Sequence, residues 1–599
     1  MHQRVRILIF LCAIAFFTLL AYSNTFSVPF LLDDYFHIVE NPYLRHPGHI
    51  RELLESGRPT VQLTFALNYT FGGLNVAGYH IINLVIHILA ALTLFGVVRR
   101  TLLLERIGFR NAQAENFAFV TALLWALHPL ETQSVTYIVQ RSESLAGLFC
   151  LLTIYTFLRS HVSNTKKSLW LAFSSASCWL GIFSKQTMVS APILIFLFDW
   201  VLTQNSPKEI FRKRWFCYLS LFLSYVALFG VLQLKNPSEV SESAGFGLQL
   251  ITPFEYARTQ PGVILHYLKL AIWPTSLCFD YAWPIASINQ ALIPSALIGA
   301  SFILGLVAIR FSPSIGFLTM AFFLILSPTS SVMPIADLAV EHRMYLPLVC
   351  VIILLVAAGR RFLKKVPILV LFSGICVLSA CFGVMTFERN RVYASEETLW
   401  RDTVQKMPLN PRAHENLGEA LERNEKYSEA ITHYEQALAL KPEFAKAHNN
   451  LGKALDRSGH LDEAILHYKE ALRIDPELEK AYSNLGAALQ EKGNFEEALS
   501  HYEKAAQLNP FFEGTYANWG SLLFRMGKRE EAIQKFSEAL TLKPDFVEAH
   551  NNLGAVLASE GKLNEAIQHF EKALEFKPDY SDAQQNLERA KRAKNLKKI

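Results

Sequence analysis

The chain has 599 residues, of which 51% are hydrophobic and 18% charged, and its net charge is +5. So small a charge on so long a chain, with basic residues gathered beside apolar runs, excludes a nucleic-acid footprint and reads as membrane topology. The averages cover two unlike parts: apolar runs near the roughly 20 residues needed to cross a bilayer extend to about Phe387, and a polar, periodic, helix-forming part follows. All eight cysteines (Cys12, Cys150, Cys178, Cys217, Cys278, Cys350, Cys376 and Cys381) precede the polar part. No pair has zinc spacing, most sit in apolar runs as small hydrophobes, and Cys278 alone is expected in an exposed loop.

The first run, about Ile7 to Ala21, is read as an uncleaved span because many further spans follow it. Arg4 and Arg6 hold its start on the cytoplasmic side, so the pair Asp33-Asp34 emerges outside. Two adjacent carboxylates cost several kcal/mol if buried unpaired in lipid, so they belong at or beyond the membrane surface. There they suit metal binding or proton removal, or else cap the interfacial helix that follows. Later spans are expected near 76–98, 117–127, 145–158, 169–183, 189–202, 215–232, 291–309, 315–326, 346–358 and 366–385, about eleven in all. Basic clusters at Arg99-Arg100, Lys166-Lys167, Lys213-Arg214 and Arg360-Arg361 keep alternate ends inside. The stretch Pro261 to Pro284, with His266, Lys269 and Asp280, is expected to stay on the outer side as a re-entrant or interfacial segment. The outer face then collects Asp33-Asp34, the His128–Arg141 loop, Lys185 and Glu341-His342-Arg343, a candidate site at the mouth of a helix bundle.

From Leu409 the sequence repeats every 34 residues. Gly418, Gly452, Gly486, Gly520 and Gly554 recur in phase, as do Ala430 to Ala566, the aromatics Tyr434, Tyr468, Tyr502, Phe536 and Phe570, and a closing proline from Pro442 to Pro578. Small residues let two helices approach, the aromatic fills the gap, and proline stops the second helix, giving five tetratricopeptide repeats. A polar capping helix and a basic tail follow. Asn416, Asn450, Asn484, Asn518 and Asn552 form a further row on the concave face, where each amide offers a donor and an acceptor to an extended acceptor peptide. This row resembles the asparagine ladder of the nucleocytoplasmic O-GlcNAc transferase, although consensus repeats also carry Asn there without special purpose.

A many-span domain with an early outer Asp-Asp pair, followed by such repeats, resembles the transmembrane and tetratricopeptide-repeat-containing O-mannosyltransferases and their bacterial relatives, of the glycosyltransferase C superfamily. The motifs that carry it are Leu32-Asp-Asp-Tyr35, His128-Pro-Leu-Glu-Thr-Gln-Ser-Val135 with Gln140-Arg141-Ser-Glu143, Ser184-Lys185-Gln-Thr, and Val340-Glu-His-Arg-Met-Tyr-Leu-Pro347. Gln186 departs from the acidic residue that relatives often carry after the Lys. The resemblance implies an all-α fold: a polytopic transmembrane helix bundle over 1–387, a linker helix over 388–408, a tetratricopeptide-repeat superhelix over 409–578, and a cap and tail over 579–599.

It also implies inverting transfer of a sugar, mannose or another hexose, from a polyprenyl-phosphate carrier to a hydroxyl acceptor, usually protein Ser/Thr. Asp33 or Asp34 suits the general base, or the pair holds a divalent cation (Mg or Mn). Arg141, Lys185, His342 and Arg343 suit the donor phosphate, with His128, Glu131, Glu143, Glu341 and Tyr345 in support. Plainer roles stand beside each: an Arg141–Glu143 interfacial pair, a helix end at His128-Pro129, a snorkelling Lys185, and a cap with an aromatic anchor at Glu341–Tyr345. Partners are the lipid donor, a protein or peptide acceptor and membrane lipids; the location is a bacterial inner membrane with periplasmic repeats, or the endoplasmic reticulum with luminal ones. The competing readings are a non-enzymatic scaffold for envelope assembly and a surface-polysaccharide polymerase or ligase.

Overall fold

Apolar runs fold as helices because a backbone without water to bond must bond to itself. The computed structural model describes residues 2–45, 47–162, 165–203, 207–233 and 251–596, with no strand among them. The end of the basic tail, 597–599, lies outside the described residues. The chain divides into Met1–Pro408 and Leu409–Ile599.

In the first unit, helices occupy every segment where a span is expected, among them His2–Ala21, Val76–Leu102, Asn111–Ala126 and Arg141–Val162. By length and composition, five of the described helices can cross a membrane: Gln3–Ala21, Val76–Leu102, Ile138–Val162, Ile288–Phe311 and Leu369–Val392. Gln186–Leu202, Arg214–Gly230 and Pro313–Leu326 are shorter apolar helices. A further helix, Pro253–Ile272, opens the stretch expected to remain outside, and it is in neither set. Arg6 and Arg99, which the charge rule puts on one side, meet on the buried carboxylate of Glu115. Asp199 likewise gathers Arg214 and the Tyr218 hydroxyl.

At the other end the helices are joined by short turns that carry the candidate site: Tyr35–Val39, Pro129–Glu131, Ile138–Gln140, Gln186–Ser190 and Glu341–Met344. Cys278 corrects an expectation. It is fully buried, because its backbone N–H donates to Glu341 at 2.5 Å and draws the loop inward.

In the second unit five helix pairs run from Pro411–Arg423 with Tyr427–Leu440 to Val547–Ser559 with Leu563–Phe576, and Ser581–Leu596 follows them. The in-phase alanines and aromatics are the core of each pair; Ala464 is 0% exposed and Tyr468 1%. A Cβ on Gly452 would lie 2.8 Å from the Tyr468 ring. Gly452→Ala should therefore overpack its repeat and cost about 1–3 kcal/mol. The check is hydrogen exchange over 445–474 in the full-length protein. Unchanged protection would show that the ring moves freely and that the glycine is dispensable.

Candidate functional site

Leu32 adopts a left-handed backbone, φ +48°, which costs a residue with a Cβ about 1–2 kcal/mol. The two aspartates that follow diverge: Asp33 is exposed and Asp34 is 1% exposed. Asp34 accepts the Leu31 N–H at 3.0 Å on one oxygen and the Val139 N–H at 2.8 Å on the other. These bonds tie the loop to the Ile138–Gln140 turn and hold the left-handed residue in place. Burial pushes the Asp34 carboxyl up to about 8, against the two N–H groups that pull it down. The capping alternative fails as well, since the Tyr35–Val39 turn has no side-chain cap bond.

Only Asp33 faces the open side, so the expectation that either aspartate serves as base narrows to Asp33. Divergent carboxylates do not fit a shared divalent cation. Among the described residues no group of three or more His, Cys, Asp or Glu gathers to hold one.

Around Asp33 the fold brings several charges together. Its own N–H donates to the Tyr137 hydroxyl at 3.0 Å. Lys185 and Glu143 form a largely buried ion pair at 3.1 Å. Gln133 Oε1 accepts from both the backbone N–H and Nδ1–H of His342, at 3.0 and 3.2 Å. Burial, then the positive charges of Lys185 and Arg343, hold the imidazole well below its usual range. It is therefore neutral at pH 7 and leaves the Nε2 lone pair free. A neutral His342 offers phosphate an acceptor and not a donor, which counts against its expected role unless it first takes a proton at Nε2. Arg343 donates to the Asp337 and Leu338 carbonyls at 2.5 and 3.0 Å and to the Tyr256 hydroxyl at 3.3 Å.

Two cavities meet at this cluster. A pocket of about 30 Å³ is lined by Glu143, Thr187, Arg343 and Tyr345. An apolar cavity of about 120 Å³ runs between the helices from Thr101 and Ile107 to Leu346. Both are bounded by Ile325 and Leu346, so the apolar space and the charged pocket are neighbours.

Other expected residues are placed elsewhere. Arg141 is 0% exposed and its guanidinium donates to Asn83 Oδ1, Thr64 Oγ1, Asn68 Oδ1 and the Tyr79 carbonyl, at 2.6, 3.2, 2.7 and 3.0 Å. It also lies 4.5 Å from the Phe65 ring centre. Four of its five N–H donors are engaged by those acceptors, and it ties helices together. His128 accepts the Leu130 N–H on Nδ1 and donates from Nε2 to the Ala271 carbonyl, ending one helix and starting the next turn. Glu131 is 0% exposed with neither oxygen hydrogen-bonded, and burial with the nearby Glu143 pushes its carboxyl well above the usual range. Glu341 accepts the Cys278 N–H and the Tyr281 hydroxyl, the latter at 2.8 Å, on one oxygen, and its other oxygen lies 3.6 Å from Arg389 without a hydrogen bond. The Tyr345 hydroxyl donates to His87 Nδ1 at 2.9 Å. Its ring lies against Gly147, where a Cβ would meet it at 2.4 Å.

In the repeats, the asparagine row is partly used by the array itself. Asn450 donates to Glu415 at 2.8 Å, Asn484 to Asn449 at 2.9 Å, Asn552 to Ser521 at 3.4 Å and Asn416 to the Arg412 carbonyl at 2.8 Å. The amide N–H groups thus bind neighbouring residues, and the row, Asn518 included, remains half-buried.

Models of the tetratricopeptide repeat match residues 394–442, 415–479, 479–512 and 547–580, and a further repeat model matches 520–560. The matched residues begin before the Glu396–Lys406 helix. A Caenorhabditis elegans protein O-mannosyl-transferase is 24% identical over 70% of this chain and 60% of its own length. The protein O-mannosyl-transferase TMTC4 of Mus musculus is 24% identical over 68% and 63%, and human TMTC1 26% identical over 67% and 52%. The chain is a relative of the TMTC protein O-mannosyl-transferases. It spans 52–63% of the length of these three. A thermophilic TPR protein of Thermus thermophilus is 26% identical, with a TM-score of 0.29, over 30% of this chain and 98% of its own.

Sequence reasoning missed Gln133, which lies inside a quoted motif and holds His342 through two hydrogen bonds.

Proposed function

We propose that this chain is an inverting, glycosyltransferase C-type membrane enzyme that moves mannose from a polyprenyl-phosphate carrier to Ser/Thr hydroxyls of proteins. The observation that carries this reading is an apolar cavity that shares Ile325 and Leu346 with a neighbouring pocket lined by Glu143 and Arg343. An isoprenoid tail suits the first and its phosphate the second. Asp33 takes the proton of the acceptor hydroxyl, whose oxygen attacks the anomeric carbon from the face opposite the phosphate. The bond from that carbon to the phosphate oxygen breaks, the electron pair leaves with the phosphate, and Lys185 and Arg343 meet the added negative charge. The repeats present the acceptor protein, and in a bacterial cell they lie in the periplasm.

The test is transfer by the full-length protein in lipid nanodiscs, with polyprenyl-phosphate mannose as donor and a Ser/Thr-containing protein as acceptor. The expected product is O-linked mannose of inverted anomeric configuration. Transfer from a nucleotide sugar alone would overturn the donor. Extension of a lipid-linked glycan with none on protein would point to a polymerase or ligase, and no transfer at all to a scaffold.

A further inference from the structure

The turn before the Pro59–Gly72 helix is strapped across the corner that carries Lys185. Thr60 donates from its N–H to the Phe183 carbonyl at 3.2 Å and from its hydroxyl to the Leu180 carbonyl at 3.1 Å. Gln186 Nε2 donates to the Gly57 carbonyl at 3.1 Å. Pro59 at the first helical position needs no N–H partner and fixes the start of the helix. The strap therefore sets the partly buried Arg58 beside the mouth, within the fields of Asp33 and Glu143 and close enough to act on Lys185 and His342.

No hydrogen bond or ion pair joins the Arg58 guanidinium to any described residue. The other arginines of the region are engaged, Arg141 by four acceptors and Arg343 by three. A planar fork of five donors, half-buried and bonded to no protein acceptor, is open to a ligand that brings paired acceptors in place of water. Glu143 is already paired to Lys185, so the mouth keeps an excess of positive charge directed at whatever enters it.

We propose that Arg58 is a phosphate-binding residue, its fork taking two non-bridging oxygens of the lipid phosphate while Lys185 and Arg343 hold the other side. Arginine suits this task better than lysine because the fork matches two phosphate oxygens at once. This inference rests on the lipid-phosphate donor reading.

The test uses the full-length protein in zwitterionic nanodiscs and equilibrium binding of three probes: farnesyl phosphate, inorganic phosphate and farnesol. Arg58→Gln should weaken farnesyl phosphate by about tenfold or more, weaken inorganic phosphate in parallel, and leave farnesol unchanged. Arg58→Lys should fall between Arg58→Gln and wild type. Equal binding of farnesyl phosphate by Arg58→Gln and wild type overturns the assignment while leaving the donor reading intact. Equal loss of farnesol and farnesyl phosphate in both variants overturns it too, since that reports a damaged cavity. A wild-type protein that binds farnesol but neither phosphate overturns the donor reading itself.

Discussion

Asp33→Asn should remove transfer and leave the protein folded, and Asp34→Asn should weaken the fold. The Asp33 residue is exposed, and its backbone N–H, which Asn retains, donates to the Tyr137 hydroxyl. Asn has the same shape but cannot take a proton, and losing a general base costs roughly 10²–10⁴ in rate. Asp34 is different because both of its oxygens accept backbone N–H groups. An amide presents one oxygen and one NH₂, so one of those N–H groups would face another donor inside the protein. That mismatch costs about 1–3 kcal/mol, and it also frees the left-handed Leu32 that turns Asp33 outward. Thermal unfolding in nanodiscs and kcat separate the two variants. A wild-type rate in Asp33→Asn sinks the base assignment. A fully stable Asp34→Asn without transfer would move the base to Asp34.

The repeats were legible because their signals are local: glycine, alanine, aromatic and proline recur at a fixed period, and each has a packing job. The helices of the first unit were legible because a bilayer leaves the backbone little choice. Of the residues the motifs singled out, Lys185 and Glu143 pair directly, and His342 lies within the fields of Lys185 and Arg343. The missing information was which side of a turn each residue faces. Nothing in Leu31-Leu32 announces a left-handed residue, where Gly or Asn would have done so. Arg58 reaches the mouth through a strap to the 180–186 corner, a pairing between segments more than a hundred residues apart. Arg141 did leave a signal. His80, Asn83 and His87 recur at helical spacing inside an otherwise apolar span, and all three are buried. Polar residues on one face of such a helix ask for buried partners, and Arg141 is the partner of Asn83.

That placement makes Arg141 the strongest test of structural against catalytic assignment. Arg141→Ala should strand four acceptors in the interior: Asn83, Thr64, Asn68 and the Tyr79 carbonyl. Each unmet buried group costs about 1–3 kcal/mol, so partial relaxation still leaves a loss of roughly 3 kcal/mol or more. The variant should unfold at markedly lower temperature or fail to accumulate. Arg141→Lys is the more informative substitution. Lysine keeps the charge, but a single ammonium cannot reach acceptors spread around a planar fork, so this variant should also be clearly destabilised. If Arg141 held the donor phosphate, lysine would instead preserve the fold and raise KM for the lipid donor alone. Unfolding temperature and donor KM, measured on Arg141→Lys, therefore point in opposite directions under the two assignments. The four internal bonds predict a shift in the first, whereas Arg58→Gln, made outside that network, predicts a shift in the second.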